Sequence, residues 1–326
     1  MGKVVSEYVV VGDVGGTNVR FAVSKDPRRY GGPTKIEHFW KSPNVKYETF
    51  SDALDAFLAT IDIKPKRAVF ALAGPIRNNT VTLTNHSSWQ VCGEELAKQF
   101  GMDQVDLLND FAAMARSIPE LGLNSDGQGL KTICEGISAP GRPIIVAGPG
   151  TGFGFATLIP NENKTWQVLR GEGGHQAFSP TTALEADVYK RLLEKASYVS
   201  IESVSAGVGF NQLLETMFEV FGQTPEKLSP ATAHERAKLG DKVCDAVCRM
   251  RANTVMTAYG NAVLANGAKG GVVAAGGVTT ALIDYISAPE ALSRFFDRGP
   301  MSSYMTDVPI YLITSAEAPL LGAAAY

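Results

Sequence analysis

Hydrophobic positions along this chain recur with two different periods, and the two alternate. Tyr8–Gly12 is an apolar, β-branched run, and Val19–Ser24 resumes an extended pattern after the turn Asp13-Val14-Gly15-Gly16-Thr17-Asn18, which predicts a strand–turn–strand unit. Ile36–Trp40 reads as a third strand. Phe50, Leu54, Phe57, Leu58 and Ile61 fall at helical spacing and predict an amphipathic helix. Arg67–Ala73 is a short apolar run stopped by Gly74-Pro75, the pattern of a buried strand. Thr80–Thr84 alternates. Val105–Leu108 reads as another buried strand, ending at Asn109-Asp110, with a helix beginning at about Phe111. The polar, Gly-rich stretch Asn124–Gly129 suits a surface loop.

A second block repeats the opening arrangement. Pro143–Ala147 predicts a strand, Gly148-Pro149-Gly150-Thr151-Gly152 a turn, and Phe153–Ile159 a returning strand. After His175 the pattern is mostly helical, from about Thr182 to Ala268. Val272–Ala275 predicts a strand closed by Gly276-Gly277, Pro309–Thr314 a last strand, and Leu320–Tyr326 a helix of small residues. Two strand–Gly/Thr turn–strand units in one chain hint at internal duplication.

Composition narrows the picture. A chain of 326 residues exceeds the usual size of one domain, and 45% hydrophobic against 19% charged residues provides for sizeable cores. The formal net charge of −3 gives no basic footprint for nucleic acid, so no nucleic-acid partner is expected. No apolar stretch reaches the roughly 18 residues a membrane span needs, so no membrane partner is expected either. The start, MGKVVSEYVVVGD, runs straight into a strand and lacks the regions of a signal peptide. Four cysteines, Cys92, Cys134, Cys244 and Cys248, form no CxxC pair and read as buried small hydrophobes in a reducing, cytoplasmic setting.

The turns carry the candidate chemistry. In Gly12-Asp13-Val14-Gly15-Gly16-Thr17-Asn18, glycines allow a sharp turn close to a ligand, successive N–H groups can form a concave anion site, and Thr17 adds a hydroxyl. Asp13 would repel a phosphate directly, but it can accept from metal-bound waters, and Mg²⁺ keeps several of its waters. An ordinary hairpin turn fits the same residues. Gly150-Thr151-Gly152 supplies a second such turn. Neither turn matches GxxxxGK[ST], and the glycines of Gly148–Gly152 precede a strand, which argues against a dinucleotide fold. Asn109-Asp110 suits a helix cap as well as a functional carboxylate. Four scattered histidines show no metal-ligand spacing.

Six segments, in order and spanning nearly the whole chain, carry a resemblance: GDVGGTN from Gly12, TNHSSW from Thr84, LLNDF from Leu107, GPGTGFG from Gly148, GEGGH from Gly171 and AAGG from Ala274. Together they resemble the bacterial glucokinase family of the actin/sugar-kinase superfamily. The related repressor/kinase/ORF (ROK) sugar kinases carry a Cys-rich zinc segment near the sugar-binding His, which this sequence lacks.

The resemblance implies an α/β, two-domain actin-like (ribonuclease-H-like) fold with an interdomain cleft. Residues 1–120 would form a small domain to which 316–326 return, and residues 121–315 a large one. It implies phosphorylation of glucose by ATP with Mg²⁺, feeding glycolysis, in a homodimer; a kinase for another hexose or an amino sugar is the alternative. By resemblance Asp110 is the catalytic base, and Asn109, Glu172, His175 and Glu202 bind sugar hydroxyls. Gly12–Asn18 and Gly150–Gly152 would hold the nucleotide's phosphates, with Asp13 reaching the metal through water. Gly276 and Gly277 fit the close approach of an adenine–ribose face. Asn85-His86 and Gly74-Pro75 would shape the region near the sugar. An unperturbed Asp is ionised at neutral pH, so Asp110 is expected to act without special tuning. The family usually has an Arg and a Leu-Ser pair after the glutamate at 202; here Ser203 and Ser205-Ala206 stand instead, so the support of Glu202 departs from what the resemblance implies.

Overall fold

A computed structural model describes residues 7–15, 17–26, 34–83, 89–123, 129–162 and 165–326. The chain forms two compact units, Met1–Leu130 with Thr314–Tyr326, and Lys131–Ile313. Gly16, Asn85, His86 and most of the Asn124–Gly129 loop lie outside the described residues.

The first unit is built on β1 (Tyr8–Val14), β2 (Asn18–Lys25), β3 (Glu37–Pro43), β4 (Arg67–Leu72) and, after a separate ribbon of β5 (Thr80–Thr82) and β6 (Gln90–Cys92), β7 (Gln104–Asn109). The sheet order is β3-β2-β1-β4-β7, with β2 antiparallel to both β1 and β3, β4 parallel to β1, and β7 parallel to β4. Strand side chains alternate between faces, which sorts the central strand into two cores. Val10 and Val14 pack with Phe21, Phe70 and the apolar face of α1 (Phe50–Leu58). Val9 and Val11 pack on the opposite face, with Ala113 and with Leu320 and Ala323 of the C-terminal helix Ala318–Ala324. Asp13 shares the parity of Val9 and Val11, so it belongs to this second face. Two further helices follow: α2 (Gly93–Phe100), and α3 (Asp110–Leu121), which carries Ala113. The small residues of the C-terminal helix serve a close approach to α3, because a Cβ on Gly322 would run into the Ala113 carbonyl.

The second unit repeats the pattern. Its strands are β8 (Leu130–Cys134), β9 (Ile144–Pro149), β10 (Phe153–Pro160), β11 (Trp166–Gly171), β12 (Gly271–Ala274) and β13 (Ile310–Ile313), in the order β11-β10-β9-β12-β13-β8. Again three antiparallel strands are followed by two parallel to the first of them. Among the described residues, the two sheets thus share one wiring, with β8 added to the second. The helical stretch begins with α4 (Ala183–Lys195), α5 (Ile201–Ser205), α6 (Phe210–Val220), α7 (Pro230–Lys238) and α8 (Lys242–Asn266), followed after β12 by α9 (Gly277–Ala281). Helix α8 runs through the middle of this core, and Cys244 and Cys248 are buried in it as apolar fillers. No described helix is long and apolar enough to cross a membrane.

Several elements escaped the pattern reading, the helices between 277 and 305 among them. β11 is an edge strand exposed along most of its length, so no buried face imposes alternation on it. β6 and β8 are short, and α2 buries only Gly93 and Leu96.

Candidate active site

In the first unit, the turn between β1 and β2 is tight: the Gly15 N–H donates to the Asn18 carbonyl at 3.0 Å. Gly15 and Thr17 are exposed there. Gly12 and Val14 are not part of the exposed turn. Both are paired in β1 with strands on either side, and a Cβ on Gly12 would come within 2.7 Å of Phe70 and 2.8 Å of Phe21. The glycine at position 12 therefore makes room for aromatic packing. Asn44 braces the turn from behind, its N–H donating to the Thr17 carbonyl and its Nδ2 to the Gly15 carbonyl, each at 2.9 Å.

Asp13 is buried and stands opposite Arg20 in the β1–β2 register, with Arg20 Nη1 3.4 Å from its Oδ2. Arg20 Nη1 also donates to the Ala316 carbonyl at 2.8 Å, which ties the pair to the C-terminal segment. Burial pushes the Asp13 carboxyl up to about 6, against the pull of Arg20, and the nearby Asp110 carboxylate pushes the same way. The two carboxylates of the first unit therefore feel each other.

Asn109 ends β7 and caps α3, its Oδ1 accepting from the Phe111 N–H at 3.0 Å and the Ala112 N–H at 3.2 Å. The cap reading of the sequence holds for Asn109, and it leaves Asp110 as the first helical residue. Asp110 Oδ1 also accepts from the Phe111 N–H, at 2.9 Å. Burial raises the Asp110 carboxyl above the usual range, and the Phe111 N–H opposes this. The expectation of an unperturbed Asp110 is corrected here: partial burial at the junction of β7 and α3 raises its proton affinity.

In the second unit, the Gly150–Gly152 turn joins β9 to β10. The Gly150 N–H donates to the Gly152 carbonyl at 2.7 Å, and a Cβ on Gly150 would meet nothing within 4 Å. Its other side is held by the Gly207 N–H to the Gly150 carbonyl and the Val208 N–H to the Thr151 carbonyl, both at 2.9 Å. Gly276, with φ of 91°, sits where a Cβ would strike the Pro149 carbonyl, so this turn and the Gly276-Gly277 turn are in contact. The sequence placed these two turns far apart, and the parallel β9–β12 pairing brings them together.

Glu202 reaches the same turn. Its Oε2 accepts from the Phe153 N–H at 2.6 Å, and its Oε1 is 3.9 Å from His175 Nε2. The His175 ring is largely exposed and Glu172 is exposed. Gly173 and Gly174 let their loop lie flat on Phe155 and Phe153, because a Cβ on either would come within 2.5 Å of those side chains. The loop is pinned by the Tyr198 hydroxyl, which donates to the His175 carbonyl at 2.8 Å, and by the Ile201 N–H, which donates to the Gln176 carbonyl at 2.9 Å. Ser203 completes a capping box on α5: its N–H donates to Ser200 Oγ at 3.1 Å, and the Ser200 N–H donates to Ser203 Oγ at 3.3 Å. That box sets the direction of the turn carrying Glu202.

The predicted residues thus form two groups, each assembled within one unit. The first holds Asp13, Gly15, Thr17, Asn18, Asn109 and Asp110; the second holds Gly150, Thr151, Gly152, Glu172, His175, Glu202, Gly276 and Gly277. Sequence reasoning missed Arg20, Asn44, Tyr198 and the Gly207-Val208 pair, none of which belongs to a motif. Only Arg20 left a signal, as a charge inside an otherwise apolar strand. No group of three or more His, Cys, Asp or Glu side chains gathers as a metal site among the described residues. A single buried carboxylate such as Asp13 suits Mg²⁺, which is held through its own waters with few direct ligands. The glycine turns, open at Gly15 and Gly150, suit phosphate oxygens.

A family model described as Glucokinase matches residues 10–326. The chain is 33% identical to the glucokinase of Nitrobacter hamburgensis over 99% of its own length and 98% of that protein's. It is 34% identical to the glucokinase of Marinobacter nauticus, over 97% and 96% of the two. The crystal structure of a glucokinase from an Antarctic psychrotroph, 34% identical, matches with a TM-score of 0.87 over 98% of both chains. A ROK family glucokinase from Streptomyces griseus, solved with glucose and AMPPNP, is 16% identical and shares the fold at a TM-score of 0.60 over 97% of this chain and 98% of that one.

Proposed function

The chain belongs to the glucokinase family, and from that premise we propose that it transfers the terminal phosphoryl group of ATP to the 6-hydroxyl of glucose, giving glucose 6-phosphate and ADP. The oxygen of the 6-hydroxyl forms the new bond to phosphorus as the bond to ADP breaks, and the hydroxyl proton passes to Asp110. A carboxylate whose proton affinity is raised by burial is a better acceptor at neutral pH than an ordinary one, provided it stays ionised. This is the observation that carries the reading: Asp110 is half-buried at the start of α3, keeps one fixed N–H partner, and lies within electrostatic reach of Asp13.

Asn109, Glu172, His175 and Glu202 bind sugar hydroxyls in this reading. A sugar that lacks or inverts one hydroxyl leaves a polar group without its partner, a loss of about 1–3 kcal/mol each. The main-chain N–H groups of Gly15–Asn18 and of Gly150–Gly152 hold phosphate oxygens, and Gly276-Gly277 admits the adenine–ribose face. Bound Mg²⁺ would offset the phosphate charge, and Asp13 would accept from its waters. The reaction would feed glycolysis in the cytoplasm, from a homodimer, as the family resemblance implies.

The test is Asp110→Asn. Turnover, followed by coupled ADP release, is expected to fall by about 10²–10⁴-fold while glucose still binds. Near-normal turnover would remove Asp110 as the base. A panel of glucose, mannose, fructose and glucosamine with ATP·Mg separates a glucokinase from a kinase for another hexose or an amino sugar.

A further inference from the structure

Arg251 lies in the middle of α8 and is 3% exposed. Its Nε donates to the Ser205 carbonyl at 3.2 Å, and its guanidinium stacks over the Phe210 ring at 5.2 Å. One terminal nitrogen, Nη2, is buried without a hydrogen-bond partner, and no carboxylate pairs with the side chain among the described residues. A buried cation without a counter-charge is a burden on a folded unit, and an apolar residue of similar volume would relieve it. Retaining the charge in this place calls for something other than stability. Burial draws the guanidinium down to about 10, and it still carries its charge at neutral pH.

The Ser205 carbonyl belongs to a helix of 5 residues, too short to hold itself rigid. Ser200 and Ser203 fix its first end; Arg251 grips its last residue. Between these anchors Glu202 reaches out to the Phe153 N–H, and just beyond them Gly207 and Val208 donate to Gly150 and Thr151. The helix and the residues after it therefore clasp both ends of the Gly150–Gly152 turn.

We propose that Arg251 is a positioning residue for the reaction: from inside the core it fixes the α5 segment, and with it both the Glu202 carboxylate and the Gly150–Gly152 turn. The inference rests on the sugar-binding reading of Glu202. The anchoring charge comes from a helix distant in sequence.

The experiment compares Arg251→Met, Arg251→Lys, Glu202→Gln and the double variant Glu202→Gln/Arg251→Met, reading thermal unfolding, glucose dissociation constants by titration calorimetry, and KM for glucose and for ATP·Mg. Arg251→Met is expected to unfold at the same temperature or higher, yet to bind glucose about tenfold more weakly, with KM for ATP·Mg raised and kcat less affected. The double variant should bind glucose no more weakly than Glu202→Gln alone, because Arg251 acts through that side chain. Arg251→Lys, which keeps the charge with a shorter reach, should recover part of the loss, and it carries the test if the methionine variant does not fold. Unchanged glucose affinity in the folded Arg251 variants, or a fully additive double variant, overturns the inference alone. Unchanged glucose affinity in Glu202→Gln overturns the sugar reading of that residue, and the inference with it.

Discussion

Asp13 and Arg20 are cross-strand partners at the end of the β1–β2 ladder, and their charged ends meet at 3.4 Å on the face of the sheet that also carries the start of α3. Arg20 is the counter-charge that keeps Asp13 from rising beyond about 6. Removing it by Arg20→Met should push the Asp13 carboxyl higher. If ionised Asp13 is needed for the metal's waters, the acid limb of kcat/KM for ATP·Mg then moves to higher pH. Profiles measured between about pH 5 and about pH 8 check this; a limb that stays in place would dissociate Asp13 from it.

Asp13 also makes folding depend on pH. Its folded value of about 6 lies above the ordinary 3.8, so between these values the folded chain holds a proton that the unfolded chain has lost. Stability from this group is complete below the ordinary value, declines as pH rises through the window, and is fully lost above about 6. The whole span corresponds to about 3 kcal/mol. Asp13→Asn should therefore be more stable than the parent at pH 8 by up to that amount, and about equal to it below pH 4. Urea unfolding at the two pH values measures the difference, and an advantage equal at both would show that charge is not its cause.

Asn44 is buried and holds two carbonyls of the Gly15–Thr17 turn. Asn44→Ala keeps the main-chain bond to Thr17 and loses the side-chain bond to Gly15. The expected result is a KM for ATP·Mg raised by about three- to tenfold, the worth of one buried hydrogen bond, with glucose affinity unchanged. Initial-rate measurements with each substrate varied in turn decide it.

Ser203 does for α5 what a capping residue does for any helix start, and Ser203→Ala removes one half of the box. A loss of about 1 kcal/mol in the stability of the second unit is expected, together with a few-fold weaker glucose binding as the turn under Glu202 loosens. Calorimetric melting and glucose titration on the same sample test both parts. Restoring an Arg at this position would also break the box, so it should not improve binding.

The two kinds of feature were legible to different degrees. The strand Tyr8–Val14, the turn after it and the Asn109 cap could be read because each depends on local rules: alternation, glycine at a tight turn, an Asx side chain before a helix. The contacts of Gly12 could not, since a glycine that clears space for Phe21 and Phe70 looks the same in sequence as one that opens toward phosphate. Edge strand β11 was invisible for the opposite reason: little of it is buried, so little constrains its residue types.

By itself, the sequence determined the order and type of most elements, the two Gly/Thr turns and the set of carboxylates, because periodicity and turn chemistry act between near neighbours. Tertiary structure alone decided which of these meet. Pairing of β9 with β12 brought the Gly150 and Gly276 turns into contact, register across β1 and β2 put Arg20 on Asp13, and packing of α8 against α5 set Arg251 on the Ser205 carbonyl. Burial decided the rest, since the raised proton affinities of Asp13 and Asp110 come from water excluded by the fold, and no pattern in the sequence records that.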